Sequence, residues 1–332
     1  MSGALTDRFN RRITYLRLSV TDRCNLRCAY CMPERMLFQP RRNLLSLDEL
    51  VRLAHASIER GITRIRLTGG EPLVRRDAVQ LLSALGQRLG SGLDELTLTT
   101  NATQLAAHAQ AIRAAGVERI NISLDTLDRA TFARLTRSDA LPQVLAGIAA
   151  AQRAGLRIKL NTVVLKGVNE THLPDLIAWA HGQGHDVSLI EVMPLGDVSA
   201  DRLDQYVPLN AVRTRLEKQW TLRPSAHRTA GPARYVDVVE TGGRLGFITP
   251  LTENFCGGCN RMRVTATGQL YPCLGGGEQV DLRAALRIDD GGTALSAALD
   301  HALMIKPERH TFAIDARQSA PVQSRHMSVT GG

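Results

Sequence analysis

Two rhythms alternate along the first two-thirds of the chain. Short β-rich runs at Tyr15–Val20, Arg64–Thr68, Glu95–Thr100, Arg119–Leu124, Arg157–Val164 and Val187–Met193 predict strands. Between them, Ser46–Arg60, Arg75–Leu89, Thr103–Ala115, Ala140–Ala154 and Glu170–Gln183 predict helices. Ser46 and Glu49 form a capping-box pattern, and Gly61, Gly116, Gly155 and Gly184 follow helix ends as C-terminal stops. Such repetition predicts a parallel sheet with right-handed crossovers. Six units fall short of an eight-stranded closure. The predicted fold is therefore α/β, a partial (β/α)6 TIM-type barrel, preferred over a doubly wound sheet.

After Gly196 the rhythm fades. A helix at Leu209–Trp220 leads to a strand pair, Arg234–Glu240 and Arg244–Thr249, joined through Thr241-Gly242-Gly243. Residues 1–234 are expected to form the barrel. Residues 235–332 are expected to form a C-terminal module laid across its opening, with a polar tail ending in Gly331-Gly332.

Strand ends are where parallel α/β folds gather chemistry. Cys24, Cys28 and Cys31 follow the first predicted strand, and Thr68-Gly69-Gly70-Glu71-Pro72 ends the second. Thr99-Thr100-Asn101, Ser123-Leu124-Asp125 and Met193-Pro194 end the third, fourth and sixth. One mouth therefore collects a cysteine trio and a set of polar groups.

All six cysteines fall in two tight groups, which argues for metal or redox chemistry over a disulfide framework. CxxxCxxC places three thiolates within eight residues, one short of the usual four for an iron–sulfur cubane, so one iron would stay open. Cys256-Gly257-Gly258-Cys259 and, after 13 intervening residues, Cys273 repeat the arrangement, and the nearest histidines, His227 and His301, lie outside that loop. A three-thiolate zinc site is the competing reading of either group, but structural zinc wants a fourth ligand.

Composition adds limits. A formal charge of +9 suits an anionic partner or a merely solvated arginine-rich surface. Aromatics at 4% and no basic stretch interleaved with them argue against stacking on single-stranded nucleic acid. The N-terminus lacks an apolar secretion segment, and no window approaches the roughly 20 apolar residues of a membrane span. A cytoplasmic location is expected.

CxxxCxxC after a first strand, with Gly-Gly-Glu-Pro after the second, resembles the radical S-adenosylmethionine superfamily. Within it, Leu16–Asn25, Ile65–Leu73, Ile120–Asp125, Cys256–Arg263 and the terminal Gly331-Gly332 resemble the GTP 3′,8-cyclase family of molybdenum cofactor biosynthesis, in one register from Arg11 onward. The resemblance implies two [4Fe-4S] clusters, on Cys24, Cys28 and Cys31 and on Cys256, Cys259 and Cys273, with S-adenosyl-L-methionine as cofactor. Tyr30, Gly70, Ser123 and Met193 would line the S-adenosylmethionine site. Arg17, Arg66, Thr99, Lys159, Arg261, Met262 and Arg263 would contact GTP. Arg261, Arg263, Gly331 and Gly332 would support catalysis.

The implied reaction yields (8S)-3′,8-cyclo-7,8-dihydroguanosine 5′-triphosphate. The product would pass to cyclic pyranopterin monophosphate synthase (MoaC), with a reductant supplying electrons. A homodimer is a candidate assembly; neither membrane nor nucleic acid is an expected partner. Physical logic runs the same way. A triphosphate carries about four negative charges and suits arginine forks. Arg17 and Arg66 sit inside predicted strands, where an unpaired charge is costly, and Lys159 does too. By alternation Arg64 and Arg66 share a face, as do Arg17 and Ser19.

The chain departs from the family pattern at Ser188, where an Arg is usual, and at Ala102, where Gly is usual. Two other readings stay open: a radical enzyme modifying a peptide, with an auxiliary cluster, and a zinc-stabilised nucleic-acid module.

Overall fold

The computed structural model describes residues 4–196, 202–288, 291–312 and 323–331. Six strands, β1 (Tyr15–Ser19), β2 (Arg64–Thr68), β3 (Glu95–Thr100), β4 (Arg119–Ser123), β5 (Arg157–Val164) and β6 (Asp186–Glu191), pair in parallel in chain order. The helices between them are α1 (Leu47–Glu59), α2 (Ala78–Gly86), α3 (Leu105–Ala114), α4 (Arg129–Thr136), α5 (Leu141–Arg153) and α6 (Leu173–Gly182). The strand bounds follow the sequence pattern closely. The capping box at Ser46 and Glu49 is made in both directions. Gly61, Gly116, Gly155 and Gly184 all adopt the left-handed conformation, which stops each helix at no steric cost. Helix α4 went unpredicted; Asp128 caps it through Thr131 N–H.

Strand alternation sorts the side chains. Leu16, Leu18, Ile65, Leu67, Leu96, Leu98, Ile120, Ile122, Ile158 and Leu160 point outward and are buried in one apolar core. Each such side chain contributes about 1.5–3 kcal/mol by leaving water. The opposite set, which includes Arg17, Arg66, Thr99, Ser123 and Lys159, lines a central cavity. The apolar core thus lies outside the sheet and leaves its inner face for polar chemistry.

The C-terminal region joins both edges of this sheet. Helices α7 (Arg202–Gln205) and α8 (Leu209–Leu216) lead to β7 (Leu222–Pro224), β8 (Arg234–Val238) and β9 (Arg244–Ile248), and β9 runs parallel to β6. At the other edge β10 (Arg261–Val264) runs parallel to β1, followed by the antiparallel strands β11 (Gln269–Tyr271) and β12 (Val280–Asp281). The parallel run is therefore eight strands long, and the whole sheet has twelve. The expected division between residues 234 and 235 falls inside β8, with the sheet continuous across it. Helices α9 (Leu282–Leu286), α10 (Thr293–Met304) and α11 (Met327–Thr330) complete the described chain. No helix among the described residues is long and apolar enough to cross a membrane.

Candidate active site

The first cysteine trio sits on a loop pinned from three sides. Arg27 N–H and Ala29 N–H donate to the carbonyls of Thr136 and Leu135 at the end of α4. Gly70 N–H and Glu71 N–H donate to Thr21 and Arg23 carbonyls at 2.8 Å each. The two backbones lie so close that a Cβ on Gly70 would fall 2.3 Å from the Arg23 oxygen, and one on Gly69 2.5 Å from the Thr21 oxygen. The glycine pair is thus required by the chain that enters the trio, whatever it does for a ligand. Beyond it, buried Glu71 accepts from Leu73 N–H, Thr100 Oγ1 and Asn101 N–H. Asn101 Nδ2 reaches Asn25 Oδ1 and lies 3.8 Å from Cys24 Sγ. Burial lifts Glu71 to about 7 against those three donors.

Burial raises the Cys24 thiol, and it raises Cys28 further with the charges of Cys31 and Asp125 beside it. Mutually opposed thiolates are relieved by a cationic metal centre, whose ligands must be deprotonated. Tyr30 Oη donates to Asp125 Oδ2 at 2.8 Å, while Asp125 Oδ1 accepts from Val163 N–H. Desolvation holds Asp125 at about 6. Tyr30, Gly70, Ser123 and Met193 all line the cavity into which this loop opens.

Below the trio the wall is cationic. Strand register places Arg17 directly beside Arg66 on β2 and beside Arg263 on β10. Three guanidinium side chains thus stand in one row across adjacent strands, roughly 5 Å apart at the backbone. Like charges so placed are destabilising. Among the described residues the Nε atoms of Arg17, Arg66, Arg261 and Arg263 have no hydrogen-bond partner. Among the described residues none of these four arginines, nor Lys159, enters an ion pair. Arg64 shares the Arg66 face but pairs with Glu95 at 3.9 Å.

Burial, then Arg263 and Arg66, push Arg17 well below the usual arginine value, and Arg263 falls to about 10. Burial with Arg66 and Arg119 lowers Lys159 to about 7, although its Nζ donates to Tyr235 Oη at 3.2 Å. Thr99 joins this wall with an unpartnered Oγ1. Met262 does not. Alternation along β10 turns its side chain outward, where it is fully buried in the apolar core.

The second trio opens on the same cavity. Cys256 and Cys259 flank a single 3-10 turn, and Cys273 follows β11. All six cysteines are free thiols. Burial alone would raise Cys259, but Arg261 and Lys306 outweigh it and bring the thiol down to about 6. Among the described residues no group of three His, Cys, Asp or Glu is gathered for one metal ion. Free thiols, the cations beside Cys259 and one cavity shared by both trios fit iron–sulfur ligation.

Gly331 also lines the cavity, in a left-handed conformation against Thr68, where a Cβ would fall 2.3 Å from Thr68 Cγ2. Gly332 lies outside the described residues. Ser188 is buried with an unpartnered Oγ, and Ala102 takes the left-handed conformation (φ 63°) itself. Sequence reasoning missed Phe255, His310 and Phe312, which line the wall near the second trio. Lone aromatic or histidine side chains in an irregular stretch carry no spacing signal.

Known proteins match this architecture. The chain matches the Radical SAM superfamily over residues 18–180 and the Molybdenum Cofactor Synthesis C family over residues 185–312. Its fold is similar to the crystal structure of Streptococcus suis SuiB bound to S-adenosylmethionine (TM-score 0.63, 15% identity, covering 96% of this chain and 77% of that one). Fold and site together define a radical S-adenosylmethionine enzyme with an iron–sulfur cluster. A GTP 3′,8-cyclase from Erythrobacter litoralis is 70% identical over 331 residues, covering 100% of this chain and 99% of that protein. One from Rhizobium etli is 55% identical over 328 residues, covering 99% and 94%. The chain belongs to the GTP 3′,8-cyclase family.

Proposed function

We propose that this chain converts GTP to (8S)-3′,8-cyclo-7,8-dihydroguanosine 5′-triphosphate in molybdenum cofactor biosynthesis. The observation that carries the reading is the row Arg66, Arg17 and Arg263, three unpaired guanidiniums in register on the wall that both cysteine trios share. Among the described residues no carboxylate pairs with these cations, so an anion beside them would relieve their repulsion, and a triphosphate supplies one. Arg17, Arg66, Arg263 and Lys159 would bind the phosphates, with Thr99 offering a hydroxyl beside them.

Cys24, Cys28 and Cys31 would hold one [4Fe-4S] cluster. When bound with S-adenosylmethionine, that cluster supplies the radical chemistry that removes the ribose 3′ hydrogen. Tyr30, Gly70, Ser123 and Met193 would line the cofactor's place. Cys256, Cys259 and Cys273 would hold a second cluster toward the guanine. The chain's own contribution is positional. The arginines and the second trio, which adjoin one another on the cavity wall, would together hold ribose C3′ and guanine C8 in one conformer, which replaces entropy that free solution would cost. Gly331 lines the cavity, and Gly331 and Gly332 would support catalysis. Hand-over to cyclic pyranopterin monophosphate synthase and assembly as a homodimer complete the proposal.

Anaerobic incubation with GTP, S-adenosylmethionine and a strong reductant tests it. Mass analysis should find 5′-deoxyadenosine and a cyclised guanosine triphosphate in step. Deoxyadenosine without the cyclised nucleotide would overturn the substrate assignment.

A further inference from the structure

Residues far from the second cysteine motif hold it together. Lys306 follows α10 and is 1% exposed. Its Nζ donates to the carbonyls of Pro272 at 2.5 Å and Arg261 at 3.0 Å, and lies 3.8 Å from Cys259 Sγ. Pro272 immediately precedes Cys273, so one ammonium spans the second and third ligands. The next two residues reach the first: Arg11 donates to the carbonyls of Cys256, Pro307 and Glu308 at 3.0, 2.7 and 2.6 Å, while Asp7 balances its charge.

Lys306 has no such balance. Among the described residues no carboxylate lies within ion-pair distance of it. Two carbonyl dipoles take up two of its three protons without supplying net negative charge, and a buried ammonium left there is costly. The negative charge within its reach is that of the cysteine sulfurs when they ligate metal.

We infer that Lys306 is a positioning residue and built-in counter-charge for the second iron–sulfur site, fixing the spacing of Cys259 and Cys273 and stabilising the cluster's reduced form. The inference rests on the reading of Cys256, Cys259 and Cys273 as cluster ligands. A donor and positive charge at a ligating sulfur favour the state with one more electron, which raises the reduction potential. They also organise the ligands before metal arrives.

The test uses the full chain with Cys24→Ala, Cys28→Ala and Cys31→Ala, so that only the second site loads, reconstituted anaerobically with iron and sulfide. Lys306 is compared with Lys306→Met, Lys306→Gln and Lys306→Arg by iron content, by a reductive titration followed by electron paramagnetic resonance, and by the rate of iron loss to a chelator. Lys306→Met is expected to shift the midpoint potential downward and to lose iron about tenfold faster. Lys306→Gln should move the same way, and Lys306→Arg should return both readouts toward the parent. An unchanged potential and chelation rate in Lys306→Met overturns the inference. If Lys306→Met does not load at all, loading by Arg and not by Gln supports it, and equal behaviour of Arg and Gln overturns it. Failure of the parent to bind iron sinks the cluster reading itself.

Discussion

Gly70 shows how one missing methyl can serve the fold and the site together. Adding a Cβ would drive it into the Arg23 carbonyl, so Gly70→Ala must displace the segment that leads into Cys24. We expect about 1–3 kcal/mol of destabilisation, typical of overpacking. It should appear in thermal unfolding of the metal-free protein; an effect seen only with cofactor bound would refute the packing account. Ala102 is the opposite case, a side chain at a left-handed position. Its left-handed conformation costs about 1–2 kcal/mol, but its fully buried methyl returns about 0.8 and its lower unfolded-state entropy about 0.4–1. The terms nearly cancel, so Ala102→Gly should change stability by less than about 1 kcal/mol in a denaturant titration. These local roles were only partly legible. The motif Gly-Gly-Glu-Pro stood out by composition, but its partner was Thr21–Arg23, which no spacing rule connects to it.

Strands β10, β1 and β2 turn a scatter of arginines into a site. Arg17 and Arg66 could be singled out as charges inside strands, but their alignment with Arg263 depends on a pairing between β1 and β10, which lie more than two hundred residues apart in the chain. Alternation also turns the Met262 side chain outward, since Arg261 and Arg263 cannot face the cavity unless the residue between them points away. On β5, Lys159 adds a pH dependence. Free lysine titrates near 10.4 and folded Lys159 at about 7, so between those values the unfolded chain holds more protons and rising pH favours the folded state. Bound triphosphate reverses this by holding Lys159 protonated, so GTP binding takes up a proton above pH 7. Affinity should therefore fall as pH rises from about 7, by up to about tenfold per unit. Calorimetry in buffers of different ionisation enthalpy would detect that uptake, and Lys159→Met should abolish it. A proton-neutral GTP binding at pH 8 in the parent would contradict the argument.

Across the whole molecule, the tail completes what the barrel begins. Gly196 N–H donates to the Gln323 carbonyl at 2.7 Å, and Arg325 stacks 4.2 Å from the Tyr271 ring centroid while its guanidinium donates to the carbonyls of Cys273 and Leu274. Those contacts deliver Gly331 to Thr68 at the mouth, in a conformation and a space that suit only glycine. Deleting Gly331 and Gly332 should abolish the cyclised product while the iron content stays that of the parent. Full turnover by the truncated chain would refute a role for the tail. The order of βα units, their helix stops and the membership of both cysteine trios could be read from the amino-acid sequence alone, because each is set by local periodicity, capping and spacing. The convergence of those trios on one cavity, the row of arginines and the reach of Lys306 and Arg11 into the second trio could not. They arise from pairings across more than two hundred residues, and only the closing of the sheet's two edges by C-terminal strands decides which distant groups meet.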